Sequence, residues 1–432
     1  MRKKICFLLF ILITALIPTA CAGNPDTIAD EIPEISTPTE APDTTPVLTG
    51  EKTPAPTLID KTFLSKERYC IAGRGEEGAA IRIEGGVKPA SGTVIDGQFI
   101  VEVFLENQKE NDVTLRLYAK SENKEESGPL IITVGKDEKR EDKPLYVGKN
   151  NHIHYADTIP DFLGNSLFKD SELDLIKNGA ENFQKKLTDE GLKAKVIIII
   201  PPNHSTIYPE TMSDFLIDQK ASDNSRLKQL TETFKNSTIK FINPYDRLMK
   251  EKENYFIYNR TDTHWNELGA YFGYCEVFDY IGETFPNAKP IPLSDFNVYK
   301  SIVRGGDLIP MFKFDQNEYI ENSNIVRIKN PTVNELFRSD TNEIPYQEQW
   351  YHQYHEYDNN DSSKPTILMY RDSFSITMLG LMAETSGKII FGNMWDYEIK
   401  VDYIKQINPD FVVIEKVERI LGDFPGIFWR FK

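Results

Sequence analysis

The chain has 432 residues, of which 40% are hydrophobic and 11% aromatic, and its formal net charge is −16. This length and hydrophobic content predict two or three folded domains with substantial cores. The acidic balance argues against nucleic acid as a partner, because binding phosphate requires a basic surface, and it disfavours broad docking on anionic lipid.

The N-terminal segment, residues 1–21, has the pattern of a secretory signal peptide. Three basic residues, Arg2 to Lys4, precede an apolar run over 7–17 that is too short to span a bilayer. Cleavage before Cys21 would resemble bacterial lipoprotein processing and would leave a lipid anchor on that cysteine. The alternative is ordinary cleavage after Ala22, which would release the protein. We favour the lipoprotein, held at the outer face of the cytoplasmic membrane.

Residues 22–60 are rich in Pro, Thr, Glu and Asp. Such a segment buries too little apolar surface to offset its ordering entropy, so we expect a disordered linker that tethers the rest of the chain.

Residues 61–136 read as a series of short strands that predict a small antiparallel β-sandwich. The predicted strands are 79–83, 99–105, 113–119 and 130–134, and Asp96-Gly97 is a hairpin-type turn. The pattern resembles the Ig-like domains of bacterial surface proteins. A spacer is the favoured interpretation, and a module that binds carbohydrate or cell wall is the alternative.

Residues 145–432 alternate between strand and helix patterns, which predicts an α/β fold with a mainly parallel sheet. Helices are expected around 173–187, ended by Gly191, and over 266–281. The predicted strands are 196–200, 240–242, 366–370, 388–391 and 411–414.

Two cysteines, Cys70 and Cys275, fall in the predicted folded regions and in different domains. A disulfide between them is one interpretation, and two buried free thiols is the favoured one. No cysteine spacing is typical of a zinc site, and we expect neither a metal nor an organic cofactor.

Two short segments carry residues typical of nucleophilic catalysis. Ser373 follows the predicted strand 366–370, in a turn that enters a helix. Asp262 and His264 precede the predicted helix 266–281, with the spacing that lets a carboxylate orient an imidazole. His264 could then act as the base that activates Ser373. The alternatives are helix capping with a packed histidine, or a metal site formed by Asp262, His264 and His204.

Further candidates surround these segments. Asn203 follows a predicted buried strand and could donate to an oxyanion, and His204 could contact substrate, unless this region is simply a rigid proline-rich turn. The stretch 346–357 contains Trp350, Tyr351, His352, Tyr354 and His355. Its aromatic rings could stack on sugars and its histidines could bind metal, although plain packing is the favoured interpretation.

Several motifs together resemble the SGNH-like domain of AlgX and AlgJ and the related DHHW proteins. They are Asp262-Thr-His-Trp-Asn266, Asp372-Ser-Phe-Ser375, Pro201-Pro202 with Ile207 to Glu210, 161–168, Gly306-Asp307-Leu308, and 409–415 with Glu418-Arg419. The resemblance implies a permuted SGNH fold with three α/β/α layers over 145–432. It implies Ser373 as nucleophile, His264 as base and Asp262 as orienting acid. Candidate substrate or oxyanion contacts are Asn203, His204, Arg371, Trp265 and Tyr208.

The resemblance implies an O-acetyltransferase that acts on exported polysaccharide or cell-wall glycan, with a membrane-bound O-acyltransferase as a possible partner. A carbohydrate O-acetylesterase differs only in the acceptor and stays open. A polysaccharide-binding scaffold without catalysis is the alternative from another functional class.

Overall fold

The computed structural model describes residues 50–106, 111–333, 335–339, 354–393 and 399–431. Its N-terminal part contains seven strands: β1 (Thr57–Phe63), β2 (Arg68–Arg74), β3 (Ala80–Glu84), β4 (Ala90–Thr93), β5 (Gln98–Phe104), β6 (Val113–Lys120) and β7 (Leu130–Val134).

These strands form two antiparallel sheets, one ordered β1-β2-β5 and the other β4-β3-β6-β7. Tyr69 and Phe99 from the first sheet share a buried core with Ile83 and Leu117 from the second. Asp96 and Gly97 both have positive φ, 55° and 72°, as a tight hairpin turn into β5 requires. The predicted antiparallel sheets in this region are therefore confirmed.

Eleven more strands follow in the described residues: β8 (Leu145–Val147), β9 (Ile153–Tyr155), β10 (Lys195–Ile199), β11 (Lys240–Ile242), β12 (Phe296–Arg304), β13 (Ile320–Ile328), β14 (Glu335–Ser339), β15 (Tyr354–Asp358), β16 (Thr366–Arg371), β17 (Lys388–Asn393) and β18 (Phe411–Glu415).

A seven-stranded sheet, ordered β11-β10-β18-β16-β17-β15-β14, forms the centre of this part. The first five strands in that order run parallel to one another, whereas β15 and β14 are antiparallel at one edge. Because β10, β16 and β18 are parallel neighbours, the residues that follow them meet at one edge of the sheet. Polar groups commonly gather at that edge in α/β folds.

The described helices are α1 (Ile159–Phe162), α2 (Asp170–Asp189), α3 (His204–Ile207), α4 (Asp214–Ile217), α5 (Arg226–Phe234), α6 (Tyr245–Glu251), α7 (Glu267–Gly282), α8 (Leu379–Thr385), α9 (Val401–Ile407) and α10 (Phe424–Phe428).

Helices cover both faces of the central sheet. Alternate residues of a strand point to opposite faces. Ile197 and Met369 accordingly join the core with α6, α7 and α8. Val196 and Leu368 join the core with α2, α5, α9 and α10. This arrangement confirms the predicted three-layer α/β/α architecture.

Strands β12 and β13 form a long antiparallel hairpin outside the central sheet, in which Phe296 pairs with Ile328 and Arg304 with Ile320. Most of β12 is exposed or half-buried. No strand pattern in the sequence predicted this hairpin.

Cys70 and Cys275 are both buried free thiols, as the favoured interpretation predicted. Within the described ranges, the helices are all too short or too polar to cross a bilayer.

Candidate active site

Ser373 lies directly after β16, as the first residue of a 3₁₀-helix over Ser373–Met378. The carboxylate of Asp372 caps this helix: its Oδ1 accepts from Phe374 N at 2.8 Å. Its Oδ2 accepts from Val417 N at 2.8 Å. One side chain thus ties the serine turn to the segment that follows β18, while Ser373 itself stays half-buried and reachable.

Asp262 and His264 lie in the turn before α7. Asn266 caps that helix, its Oδ1 accepting from Leu268 N and Gly269 N, each at 3.0 Å. Within the turn, the backbone N–H of His264 donates to Asp262 Oδ1 at 2.9 Å. The cap and this bond together fix both side chains on the same side of the turn.

The structure brings Asp262, His264 and Ser373 together in one hydrogen-bonded chain. His264 Nδ1 donates to Asp262 Oδ1 at 2.7 Å, and His264 Nε2 lies 2.8 Å from Ser373 Oγ. About a quarter of the His264 side chain is exposed, so solvent and substrate can approach it. This geometry suits transfer of the serine proton to the imidazole, with the carboxylate holding the ring.

The electrostatics favour the same proton path. Burial alone lowers the pKa of His264, but the hydrogen bond and charge of Asp262 outweigh it, and the pKa is raised above its usual 6.5. Burial acts to raise the pKa of Asp262, yet the bonds from His264 bring it below its usual value. Asp262 therefore stays ionised and is placed to stabilise an imidazolium if His264 accepts the serine proton.

Trp265 joins the two segments. Its indole Nε1–H donates to the Phe374 carbonyl at 2.9 Å, and its ring packs edge-on against that of Phe374 at 5.6 Å. Trp265 is almost fully buried. Its contacts hold the turn of His264 against the turn of Ser373, and its role toward substrate stays a prediction.

Asp307 is a second carboxylate at His264, and it was not among the predicted site residues. Its Oδ2 lies 3.5 Å from His264 Nδ1 and accepts from Thr263 Oγ1 at 2.6 Å. Its backbone N–H donates to Asp262 Oδ2 at 3.2 Å. Burial, together with the charge of Asp262, raises the pKa of Asp307 to about 6. The only sequence signal was its place in the Gly306-Asp307-Leu308 motif.

Gly306 lets the backbone that precedes Asp307 lie against Thr261 and Asp262. A Cβ at this position would lie 2.5 Å from the Cβ of Asp262 and 2.5 Å from the carbonyl oxygen of Thr261. Its backbone N–H donates to Thr261 Oγ1 at 2.8 Å. Any larger residue would push the Asp307 segment away from the histidine.

Asp262, His264 and Asp307 could each offer one ligand atom to a cation, because those atoms lie within 4.8 Å of one another. His204, which the metal alternative also included, lies elsewhere, with its Nε2 2.8 Å from His152 Nδ1. The hydrogen bond from His264 Nδ1 to Asp262 fits an imidazole held by carboxylates better than an imidazole held by a metal.

The other predicted contact residues are buried. Asn203 is fully buried, its backbone N–H donates to Glu418 Oε2 at 2.8 Å, and its side-chain amide has no polar partner within the described residues. His204 packs against Tyr258, and burial lowers its pKa well below the usual value. The roles of Asn203 and His204 toward substrate stay predictions.

Arg371 and Tyr208 also lie inside the protein. Arg371, at the end of β16, is fully buried, and its Nη1 donates to the Asp372 carbonyl at 3.0 Å. Burial lowers the pKa of Arg371 to about 10. The hydroxyl of Tyr208 accepts from Ile257 N at 3.1 Å. Both contacts support the fold around the site, and their roles toward substrate stay predictions.

The predicted aromatic stretch over 346–357 is only partly described. Trp350, Tyr351 and His352 lie outside the described residues, as does the side chain of Tyr354. His355 is buried on β15, and its ring stacks against that of Tyr357 at 6.5 Å.

Comparison with known proteins finds the same family that the sequence motifs resemble. Residues 168–341 match the family model described as SGNH hydrolase-like domain, acetyltransferase AlgX. The matched residues include Asp262, His264 and Asp307, whereas Ser373 follows them. No curated protein sequence matches the chain.

Solved structures similar to the chain include three for which the match covers most of the length of the other protein. PatB1 of Bacillus cereus has a TM-score of 0.45 and 17% identity, and the match covers 61% of this chain and 94% of that one. A DHHW family protein from Eubacterium siraeum has a TM-score of 0.45 and 12% identity, covering 72% and 94%. The O-acetyltransferase domain of Pseudomonas putida AlgJ has a TM-score of 0.38 and 15% identity, covering 65% and 92%.

The family match confirms that residues 168–341 resemble the SGNH hydrolase-like domain of the AlgX acetyltransferases, as the sequence motifs indicated.

Proposed function

We propose that this chain is an extracytoplasmic carbohydrate O-acetyltransferase that acts through an acyl-enzyme on Ser373. The observation that carries the proposal is the unbroken chain of short contacts, 2.7 Å from Asp262 to His264 and 2.8 Å from His264 to Ser373. The family match to an acetyltransferase domain supports acyl transfer as the reaction.

The reaction begins when His264 Nε2 takes the proton of Ser373 Oγ as that oxygen attacks the carbonyl carbon of an acetyl ester. The tetrahedral intermediate collapses, and the leaving alcohol takes the proton from His264 Nε2. A sugar hydroxyl then gives its proton to His264 and attacks the carbonyl carbon of the acetyl-serine. When this second tetrahedral intermediate collapses, the bond from Ser373 Oγ to the acetyl carbon breaks and His264 returns the proton to Ser373 Oγ, which restores the enzyme and yields the acetylated glycan. Asp262 stays ionised throughout and stabilises the imidazolium.

The acceptor separates the transferase from an O-acetylesterase. The half-buried Ser373 and partly exposed His264 leave room for water as well as for a sugar hydroxyl. We propose exopolysaccharide or cell-wall glycan as acceptor and a membrane-bound O-acyltransferase as the source of acetyl groups. Export, with a lipid anchor on Cys21, would place the enzyme beside both; Cys21 lies outside the described residues.

The test uses the whole exported chain, a soluble acetyl ester as donor and a panel of glycans as acceptors. Wild type should form an acetyl adduct on the peptide that contains Ser373, detected by mass spectrometry, and should release the alcohol. Ser373→Ala should do neither, whereas Ser375→Ala should still form the adduct.

Acetylated glycan as product supports the transferase, and free acetate alone in the presence of every glycan supports the esterase. Equal turnover by wild type and Ser373→Ala would reject both the transferase and the esterase mechanism through Ser373. Glycan binding that persists in that case would favour the scaffold.

A further inference from the structure

The attack on an acetyl ester places negative charge on the former carbonyl oxygen, and that charge needs a nearby donor or cation. The residues predicted for this role, Asn203, His204 and Arg371, are all less than 5% exposed. These three residues offer little surface to an acetyl group that enters from solvent, whereas Arg419 is half-buried. A different cation lies beside the nucleophile.

Arg419 belongs to the segment that follows β18 at the same edge of the sheet as Ser373. Two residues before it, Val417 N donates to Asp372 Oδ2 at 2.8 Å, which joins this segment to the serine turn. The carbonyl of Arg419 accepts from Arg226 Nη2 at 3.2 Å, and Arg226 is held by Asp161 at 2.7 Å. The backbone of Arg419 is therefore fixed next to the candidate active site.

The guanidinium of Arg419 lies over the residue after the nucleophile. Its Cζ is 5.1 Å from the centre of the Phe374 ring, and that ring is 4.8 Å from the ring of His264. The side chain is half-buried. The charge of Arg419 also reaches the base, since it acts to lower the pKa of His264 against the stronger opposite effect of Asp262.

Arg419 forms no ion pair with any residue that the structure describes, and its Nη1 is buried without a hydrogen-bond acceptor. Two other arginines of this region do have carboxylate partners: Arg226 is paired with Asp161, and Arg260 with Asp96. A buried donor without an acceptor is costly, so an unpaired guanidinium beside a nucleophile indicates that a ligand supplies the acceptor.

We propose that Arg419 donates to the oxyanion of the tetrahedral intermediate formed at Ser373, and that it is thereby a catalytic residue. This assignment rests on the function proposed above. During attack, the carbonyl π electrons move to oxygen, and Arg419 stabilises that charge without losing a proton. When the intermediate collapses, the electrons return to the carbon–oxygen bond and the leaving alcohol departs with the proton from His264.

The experiment measures hydrolysis of p-nitrophenyl acetate by the whole chain and by three variants. Arg419→Met removes the charge but keeps an apolar chain over Phe374. Arg304→Met makes the same change at an exposed position on β12 and serves as the matched control. Ser373→Ala tests the nucleophile separately.

We expect kcat of Arg419→Met to fall roughly 10²- to 10³-fold while KM changes little, since only the transition state carries the charge. The acid limb of its pH–rate profile should move to higher pH, because a cation that lowers the pKa of His264 is gone. A role confined to packing against Phe374 would not move that limb. Arg304→Met should match wild type.

The proposal is overturned if Arg419→Met retains wild-type kcat, or if it raises KM with kcat unchanged, which would indicate ground-state binding of a substrate anion. Retained activity in Ser373→Ala would instead reject the function proposed above. Should Arg419→Met fail to fold by circular dichroism, Arg419→Gln, which is neutral but polar, is judged by the same criteria.

Discussion

The indole N–H of Trp265 donates to the carbonyl of Phe374 at 2.9 Å, which joins the turn of the candidate base to the turn of the candidate nucleophile. The bond spans 109 positions of the chain and is buried. The distance from His264 to Ser373 therefore depends on a neighbour of each residue as well as on the two side chains themselves.

Trp265→Phe tests this dependence, because it keeps an aromatic ring, although a smaller one, and removes the N–H donor. We expect kcat/KM to fall roughly ten- to a hundredfold, since small displacements of reacting groups are costly. The free energy of unfolding should fall by about 1–3 kcal/mol, because the Phe374 carbonyl loses its partner. Ester hydrolysis and urea unfolding measure the two effects. Trp429→Phe, at a largely exposed indole, is the control, and equal behaviour of both variants would contradict the prediction.

Asp262→Asn should lower kcat/KM roughly 10⁴-fold, because an amide can neither orient the imidazole correctly nor stabilise its cation. The residual activity should persist to lower pH than in wild type. Neutral His264 is the active form, and Asp262 raises its pKa, so removal of the carboxylate lowers the pH at which the imidazole becomes protonated. A pH–rate profile measures the shift, and a shift toward higher pH would show that Asp262 does not act on His264.

Asp307→Asn should cost less, roughly three- to tenfold in kcat/KM, because Asp307 lies 3.5 Å from His264 Nδ1 whereas Asp262 lies at 2.7 Å. Because the pKa of Asp307 is about 6, the wild-type profile should fall more steeply below pH 6 than protonation of His264 alone predicts. The variant should lose that extra steepness. Asp315→Asn, at an exposed carboxylate outside the site, should leave the profile unchanged.

Glu415 is fully buried, and its Oε2 accepts from Asp372 N at 2.9 Å and from Ser375 Oγ at 2.6 Å. Burial, reinforced by the charge of Asp372, raises its pKa well above the usual value. A carboxyl whose pKa is raised by folding stabilises the protein at low pH, and this stabilisation is lost as pH rises through the folded-state pKa. Wild type should therefore lose stability relative to Glu415→Gln as the pH rises above the usual carboxyl pKa of about 4.3 toward the raised pKa of the folded state.

Glu415→Leu is the companion variant, because it leaves the Asp372 amide and the Ser375 hydroxyl without an acceptor. We expect a loss of roughly 1–3 kcal/mol for each group. Urea unfolding across the pH range gives both results. A gap between wild type and Glu415→Gln that stays constant with pH would argue against a raised pKa.

The apolar strands were predictable from the sequence because burial on both faces leaves a distinct pattern. The segment Val196 to Ile200 is an uninterrupted apolar run, and all but its last residue lie in β10, which is paired on both sides, with β11 and β18. The hairpin of β12 and β13 leaves no such pattern, since β12 is mostly exposed and is held by backbone pairing with its partner.

The proximity of Asp262, His264 and Ser373 was predictable from their residue types and motifs, but the surroundings were not. Sequence shows that Asn203 and Arg371 are polar, yet it does not show that both are fully buried. Asp307 and Arg419 reach the site through tertiary packing, 43 and 46 positions from His264 and Ser373 respectively. Both belong to motifs that resemble the family, but neither motif shows that its charged side chain lies beside His264 or Ser373.

The first antiparallel sheet and the segment after Asp307 share one hydrophobic core, in which Cys70 and Ile100 pack with Leu308 and Phe312. Asp96, in the turn before β5, also pairs with Arg260, two residues before Asp262. The first N-terminal sheet thus packs beneath the loops of the candidate site. A gene fragment that began after β7 would therefore encode a protein whose apolar side chains after Asp307, Leu308 and Phe312 among them, lose their packing partners and become exposed to water.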